Sequence, residues 1–310
     1  MTTLTKFRFA AKAVAAESAS DWTAQVREAE NLGYASLLLD DHFNNQISPI
    51  PALMAAADAT DSITLGTAVL GVDFRNPVLL AREAATIDLL SDGRLELGLG
   101  AGWLNTDYSA AGIVQDPAAI RIERLSEAVD IIRAVWQTTP FHFRGRHYNI
   151  GESTGYPKPP SPIPLLIGGG GQKILTLAAR KADIVSVNAK VIGRSSNART
   201  IATASVDAIE ERLGWVRESA GDRFGDIELH LQVYVAIVTD HYYRTVEEVA
   251  VSMEAEPELV MTSPHFQIGS VQEICDGLIA MRERWGISYV GFEPAATRQI
   301  VPVLEQLSGT

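Results

Sequence analysis

Short, unbroken apolar runs alternate along this chain with longer stretches whose apolar positions recur at three- and four-residue intervals. The runs at 7–11, 35–39, 63–70, 95–100, 165–167, 183–187, 227–238 and 287–292 read as strands. Most lack the in–out alternation of a sheet with one wet face, so they fit parallel strands buried on both sides. Helical patterns lie between them. Ser20 and Asp21 are placed to cap one that Gly33 stops, and Asn76-Pro77 gives another a capping side chain and an N1 proline. Asp116-Pro117 opens a helix running through Trp136, and residues 203–220 read as a further one. Thr245-x-x-Glu248 and Ser270-x-x-Glu273 both have capping-box form. Residues 141–150, around Arg144-Gly145, suggest a hairpin insertion.

About eight strand–helix units in 310 residues predict an α/β fold, a (β/α)8 TIM barrel with insertion segments, formed as one domain over residues 1–310. A doubly wound open sheet is the alternative. Its dinucleotide fingerprint belongs after the first strand, whereas the glycine cluster here, Gly168-Gly169-Gly170-Gly171, comes midway along the chain. That cluster separates an apolar run from a helical stretch. Glycines let a backbone approach a ligand, and the free N–H groups of a helix's first turn attract anions. The turn is therefore a candidate phosphate cradle for a nucleotide-like cofactor, or else a tight strand-to-helix turn with no ligand.

A barrel gathers its chemistry at the C-terminal ends of its strands. There the sequence delivers Asp41-His42-Phe43, then Phe74-Arg75, Gly100-Ala101-Gly102-Trp103, Asn188, Lys190 and Glu293. Imidazole exchanges protons near neutral pH and a neighbouring carboxylate tunes it. His42 beside Asp41 is accordingly the leading acid/base candidate, with a capping Asp and a structural His as the plain reading. Trp103, after small residues, either walls a flat ring or fills the core. Six scattered histidines, with His142 and His147 on the hairpin, give weak grounds for a metal centre, and no Gly-x-Ser-x-Gly elbow supports a serine hydrolase.

Composition narrows the setting. A formal charge of −12 at pH 7 argues against nucleic acid as a partner. It also requires local donors for an anionic cofactor. The single cysteine, Cys275, excludes an internal disulfide and fits a reducing cytoplasm; its apolar helical surroundings mark it as a core residue. No segment is long enough for a membrane span, and residues 1–12 lack the pattern of an export signal.

Several segments together resemble one family. They are Leu32-Gly33-Tyr34 before Asp41-His42, then Leu65-Gly66-Thr67-Ala68-Val69 leading to Arg75-Asn76-Pro77. They continue with Ala85-Thr86-Ile87-Asp88, Ser91-x-Gly93-Arg94, Leu97-Gly98-x-Gly100-x-Gly102-Trp103 and the glycine turn with Ala178-Ala179 and Ala182-Asp183. The chain resembles the bacterial luciferase-like flavin and deazaflavin oxidoreductases, in the branch using coenzyme F420. The resemblance implies a barrel, a homodimer and a deazaflavin ring across the barrel mouth. It puts the ring's phosphate on Gly168, Gly169, Gly170 and Gly171 with Gln172, and a non-prolyl cis bond between Ala68 and Val69 behind the ring. Asp41, Ala101, Gly102 and Trp103 would complete the cofactor site, and Phe43, Trp103, Asn188 and Lys190 would meet a small-molecule substrate.

Some sugar-phosphate dehydrogenases of this family have a glutamate where Trp103 stands here. Their basic phosphate-binding residues have only Lys190 and Arg298 as loose matches, and Lys158 and Lys173 are the cations nearest the cradle in sequence. The implied function is F420-dependent hydride transfer to or from a C=C, C=O or C=N group, with His42 moving the proton. The alternatives are a monooxygenase using reduced flavin mononucleotide (FMN) and oxygen, and a non-catalytic flavin carrier. Residues 43–48, 191–197 and 240–256 are the loops expected to set the substrate.

Overall fold

The computed structural model describes residues 5–44, 46–193 and 198–310; residues 1–4 lie outside them, as do position 45 and residues 194–197, which belong to the expected substrate loops 43–48 and 191–197. Eight parallel strands close on themselves: β1 (Arg8–Ala13), β2 (Ser36–Leu39), β3 (Thr64–Thr67), β4 (Leu95–Gly100), β5 (Leu165–Gly169), β6 (Ile184–Val187), β7 (Glu228–Val233) and β8 (Ile287–Phe292). Each pairs with its successor, and β8 pairs with β1 from Arg8↔Tyr289 to Ala11↔Phe292, which excludes the open sheet. Almost every position of β2, β4, β6 and β8 is buried, as the unbroken apolar runs require of strands enclosed on both sides.

The helices start where short polar side chains satisfy free N–H groups. Asn76 Oδ1 accepts from Val78 and Leu79 ahead of the helix Pro77–Leu90. Ser270 and Glu273 form the expected capping box of Val271–Trp285. Two caps differ from expectation. The first helix, Ala19–Asn31, begins at Ser18, whose side chain accepts from the Asp21 amide, so Ser20 and Asp21 lie inside it. Thr245 lies within the helix Tyr242–Ser252 and caps nothing. Cys275 is buried on Val271–Trp285 as expected, and burial pushes its thiol up.

Two strands expected as single runs are broken. The third ends at Thr67; the chain turns through a cis Ala68–Val69 bond and resumes as Leu70–Gly71 beside β4. The seventh leaves the barrel at Tyr234, and Val235–Val238 pairs with Phe266–Gly269, a strand the sequence did not suggest, in a separate sheet. That pair and the helices Tyr242–Ser252 and Pro257–Thr262 enclose a small apolar centre of Val246, Val249, Ala250, Val260, Phe266 and Ile268, joined by Ile201. The hairpin is present as Phe141–Arg144 with Asn149–Ser153.

The bulge after β3 explains the glycines of β4. A Cβ at Gly98 would lie 1.7 Å from the Thr67 carbonyl oxygen, and one at Gly100 would lie 2.5 Å from Val69 Cγ2. These glycines make room for the protein's own chain rather than for a ligand. Gly98→Ala therefore forces a backbone shift, and we expect it to cost about 3 kcal/mol, the upper end of the usual overpacking penalty. A urea midpoint unchanged from wild type would refute this.

Candidate active site

The C-terminal ends of the strands surround a cavity of about 620 Å3. Of the residues expected there, Asp41, His42, Ala68, Val69, Ala101, Gly102, Trp103, the four glycines, Asn188 and Lys190 line it. Gln172 and Phe43 do not. Gln172 opens the helix Gln172–Lys181 and is exposed; Phe43 packs on Phe74, ring centroids 4.9 Å apart, at the rim. Trp103 is half-buried and meets the His42 ring edge-on, centroids 5.5 Å apart, so it is a wall and not core filling.

The carboxylate that serves His42 is not its neighbour. His42 Nδ1 lies 2.7 Å from Asp107 Oδ2, and the Phe43 amide donates to Asp107 Oδ1. Asp107 sits on Asn105–Ala111, a helix the sequence did not suggest, and only 4% of its side chain is exposed. Asp41 turns the other way. Arg75 grips both of its oxygens and the Gly71 amide donates to Oδ2 at 2.9 Å, which ties the segment after the cis bond to the end of β2. The adjacent Asp and His thus do separate work. Asp107 accepts from the Nδ1 proton of His42 and leaves Nε2 as the imidazole's free nitrogen.

Lys12, at the end of β1, bridges Asp40 at 2.8 Å and Glu293 at 3.0 Å, and Gln232 Nε2 donates to the same Glu293 oxygen at 3.1 Å. Burial works against the Lys12 charge, but the two carboxylates outweigh it and raise the ammonium above its ordinary value. Deeper in, Ser186 Oγ accepts from Asn188 Nδ2 at 3.0 Å and lies 2.7 Å from His230 Nδ1. If the serine gives its proton to Nδ1, none is stranded, and His230 Nε2 then carries hydrogen. That atom and Asn188 Oδ1 are buried without partners. They leave one donor and one acceptor in the cavity lining.

The remaining expected cations, Lys158, Lys173 and Arg298, lie outside the cavity lining. Lys158 is bound to the carbonyls of Val135, Gln137 and Thr154. Lys173 is exposed, and Arg298 pairs with Glu28 at the surface. Arg121, which the sequence did not single out, lines the cavity but donates to the carbonyls of Ala101, Gly102 and Asp116. The glycine turn is also tighter than its composition suggests. A Cβ at Gly169 would strike Ile174, and one at Gly170 would strike the Ala189 carbonyl; only Gly171, which opens Gln172–Lys181 without a side-chain cap, has open space.

Burial holds His230 down to about 3, with Arg8 and Lys12 adding to the effect, and holds His265 down to about 4. Below pH 6.5 the unfolded chain takes up protons that these imidazoles refuse in the fold, so stability falls as pH falls toward those values. Each histidine contributes about 1.4 kcal/mol per pH unit in that window. Urea titrations at pH 6.5 and 5 are expected to show a loss about 2–4 kcal/mol larger in wild type than in a His230→Gln/His265→Gln variant. Parallel losses would contradict the assignment.

A family model described as luciferase-like monooxygenase matches residues 1–241. The chain belongs to the luciferase-like monooxygenase family. As a luciferase-like protein it is 34% identical over 165 residues to an F420-dependent glucose-6-phosphate dehydrogenase of Intrasporangium calvum, covering 50% of this chain and 49% of that one. It spans about half the length of such curated relatives. Among solved structures, an F420-dependent secondary alcohol dehydrogenase with an F420–acetone adduct superposes with a TM-score of 0.75 at 20% identity over 98% of both chains. The monooxygenase RslO1 of Streptomyces bottropensis does so with 0.74 at 18% identity, over 97% of this chain and 98% of that one. These two likenesses establish the luciferase-like barrel. Among the described residues no helix is long and apolar enough to cross a membrane, and no group of three or more His, Cys, Asp or Glu side chains is placed to hold a metal.

Proposed function

We propose that this chain is an F420-dependent oxidoreductase acting on a small, uncharged substrate. The observation that carries the reading is His42, held by Asp107 at 2.7 Å and set against Trp103 in a cavity bounded by Ala68–Val69 and the glycine turn. The donor set fits a flat ring with an acidic tail: Gly171 and the uncapped first turn of Gln172–Lys181 offer N–H groups, and His230 Nε2 and Asn188 Oδ1 offer one donor and one acceptor. Bound there, the deazaflavin would supply the hydride chemistry at its C5.

The protein's part is orientation and proton movement. His42 Nε2 gives a proton to the substrate heteroatom or takes one from it, and the Asp107 carboxylate steadies the charged imidazole. Trp103 and the Ala68–Val69 bulge confine the reactants. The cavity's cations also bear on the substrate. Among the described residues Lys12 is paired with two carboxylates, Arg121 is spent on carbonyls, and Lys190 lies exposed at the rim. That inventory favours an alcohol, carbonyl or imine over the sugar phosphate named for the relatives. Two such barrels would associate as a homodimer, which sedimentation would read.

Equilibrium binding by fluorescence separates this reading from a flavin monooxygenase. The deazaflavin is expected to bind at least tenfold more tightly than FMN, and turnover is expected not to need oxygen. Tighter FMN binding with oxygen-dependent turnover would replace the proposal with the monooxygenase.

A further inference from the structure

Arg212 is the anomalous charge of this fold. It lies on the helix Val206–Ala220 with 3% of its surface exposed. Its Nε donates to the Gly170 carbonyl at 3.0 Å, while Nη1 is buried with no partner. Among the described residues it forms no ion pair. Other part-buried arginines are met: Arg8 has Glu96 and Glu228, Arg75 has Asp41, Arg124 has Asp73 and Asp116, and Arg121 has three carbonyls, while Arg282, whose Nε is likewise unpartnered, lies over the Phe7 ring and donates to the Thr310 carbonyl. Tyr234 and His265, stacked with centroids 4.4 Å apart, are also close enough to interact electrostatically with Arg212, and burial keeps both uncharged near neutral pH. Burial lowers the guanidinium from its ordinary value; the nearby Glu211 carboxylate opposes this only in part and forms no ion pair with it, so the enclosure is incompletely compensated.

A buried cation costs several kcal/mol unless a countercharge meets it. Arg212 donates its one hydrogen bond to the turn that opens Gln172–Lys181, a ten-residue helix with no side-chain cap. The helix N-terminus and the guanidinium bring the same sign of potential to the same place. We infer that Arg212 is a positioning residue for an anion at the glycine turn: it anchors the Gly170 carbonyl from behind, turns the amides of the turn toward the cavity, and finds its missing countercharge in the phosphate of the bound cofactor. The inference rests on the reading that this turn holds the cofactor's acidic tail, and it supplies the local cation that an acidic protein needs there.

The test compares F420 with its dephosphorylated deazaflavin core, measured by equilibrium fluorescence on wild type, Arg212→Gln and Arg212→Lys. The Gln variant keeps a donor at the Nε position for Gly170 and removes the charged end of the side chain. F420 binding is expected to weaken about tenfold or more in Arg212→Gln, on the scale of a partly buried charge at a helix terminus. Binding of the core is expected to stay unchanged, and Arg212→Lys to keep most of the phosphate-dependent part. Equal weakening of both ligands would mean a structural role and overturn the inference, as would no weakening of either. Wild type that binds the two ligands equally would overturn the cofactor-tail reading itself. If Arg212→Gln does not fold, Arg212→Met carries the comparison, and F420 binding equal to wild type in that variant would refute the role.

Discussion

Alanine in place of His42 is expected to reduce turnover by about 10²–10⁴, the scale of a lost general acid or base, with deazaflavin binding essentially unchanged. The reasoning is geometric. His42 is the imidazole at the cavity wall whose Nδ1 is fixed by a buried carboxylate, and its ring is held edge-on by Trp103. Removing the ring removes the proton carrier but none of the backbone that would hold a cofactor. Asp107→Asn is the companion variant. It keeps the shape and a hydrogen-bonding group but not the charge that favours the protonated imidazole. A loss of about ten- to a hundredfold is expected, the worth of one hydrogen bond to a charged group. In Asp41→Asn, whose side chain meets Arg75 and not His42, any loss would come through the Ala68–Val69 wall rather than through the imidazole. Steady-state kinetics with a secondary alcohol or ketone panel, alongside a cofactor titration, would measure all three. Full activity in His42→Ala would remove the imidazole from the reaction.

The second large effect falls on stability. Arg75→Ala is expected to destabilise the fold by about 3–5 kcal/mol, because it strands the Asp41 carboxylate in a site where 4% of the side chain is exposed. The Gly71 amide alone would remain to meet the charge. The same ion pair joins the end of β2 to the segment after the cis bond, so its loss would also loosen the wall that carries Ala68 and Val69. Chemical denaturation of Arg75→Ala and of Arg75→Ala/Asp41→Asn separates the two contributions. The double variant removes the stranded charge and is expected to recover much of the deficit. Equal stability of the single and double variants would show that the charge was never the cost.

The barrel was legible because its code is local. Parallel strands buried on both faces write themselves as unbroken apolar runs, and the intervening helices as three- and four-residue spacing, so order and fold class followed from the pattern. The break in β3 was legible only through the family resemblance, which implied the cis Ala68–Val69 bond; the break after β7 was not legible, since Tyr234 continues the apolar character of the strand it interrupts. The site was legible as a location and less so as a set of partnerships. Asp41-His42 marked the right strand end, but proximity in sequence suggested a pair that folding divides. His42 is served from 65 residues away and Asp41 from 34. Lys12 and Arg212 stand in segments where nothing local distinguishes them from surface cations. Glycine was misleading in a different manner: at Gly98, Gly100, Gly169 and Gly170 the missing side chain accommodates the protein itself, which only contact distances reveal.

The departure of the chain from the barrel at Tyr234 divides labour between two packing units. Met253 and Ile201 reach the cavity from the small apolar centre built on Val235–Val238 and Phe266–Gly269, whereas His42, Asp107 and the glycine turn are rooted in the barrel proper. Exchanging residues 235–269, together with Ile201, between homologous barrels would test whether substrate choice can change while His42 and Asp107 keep their chemistry.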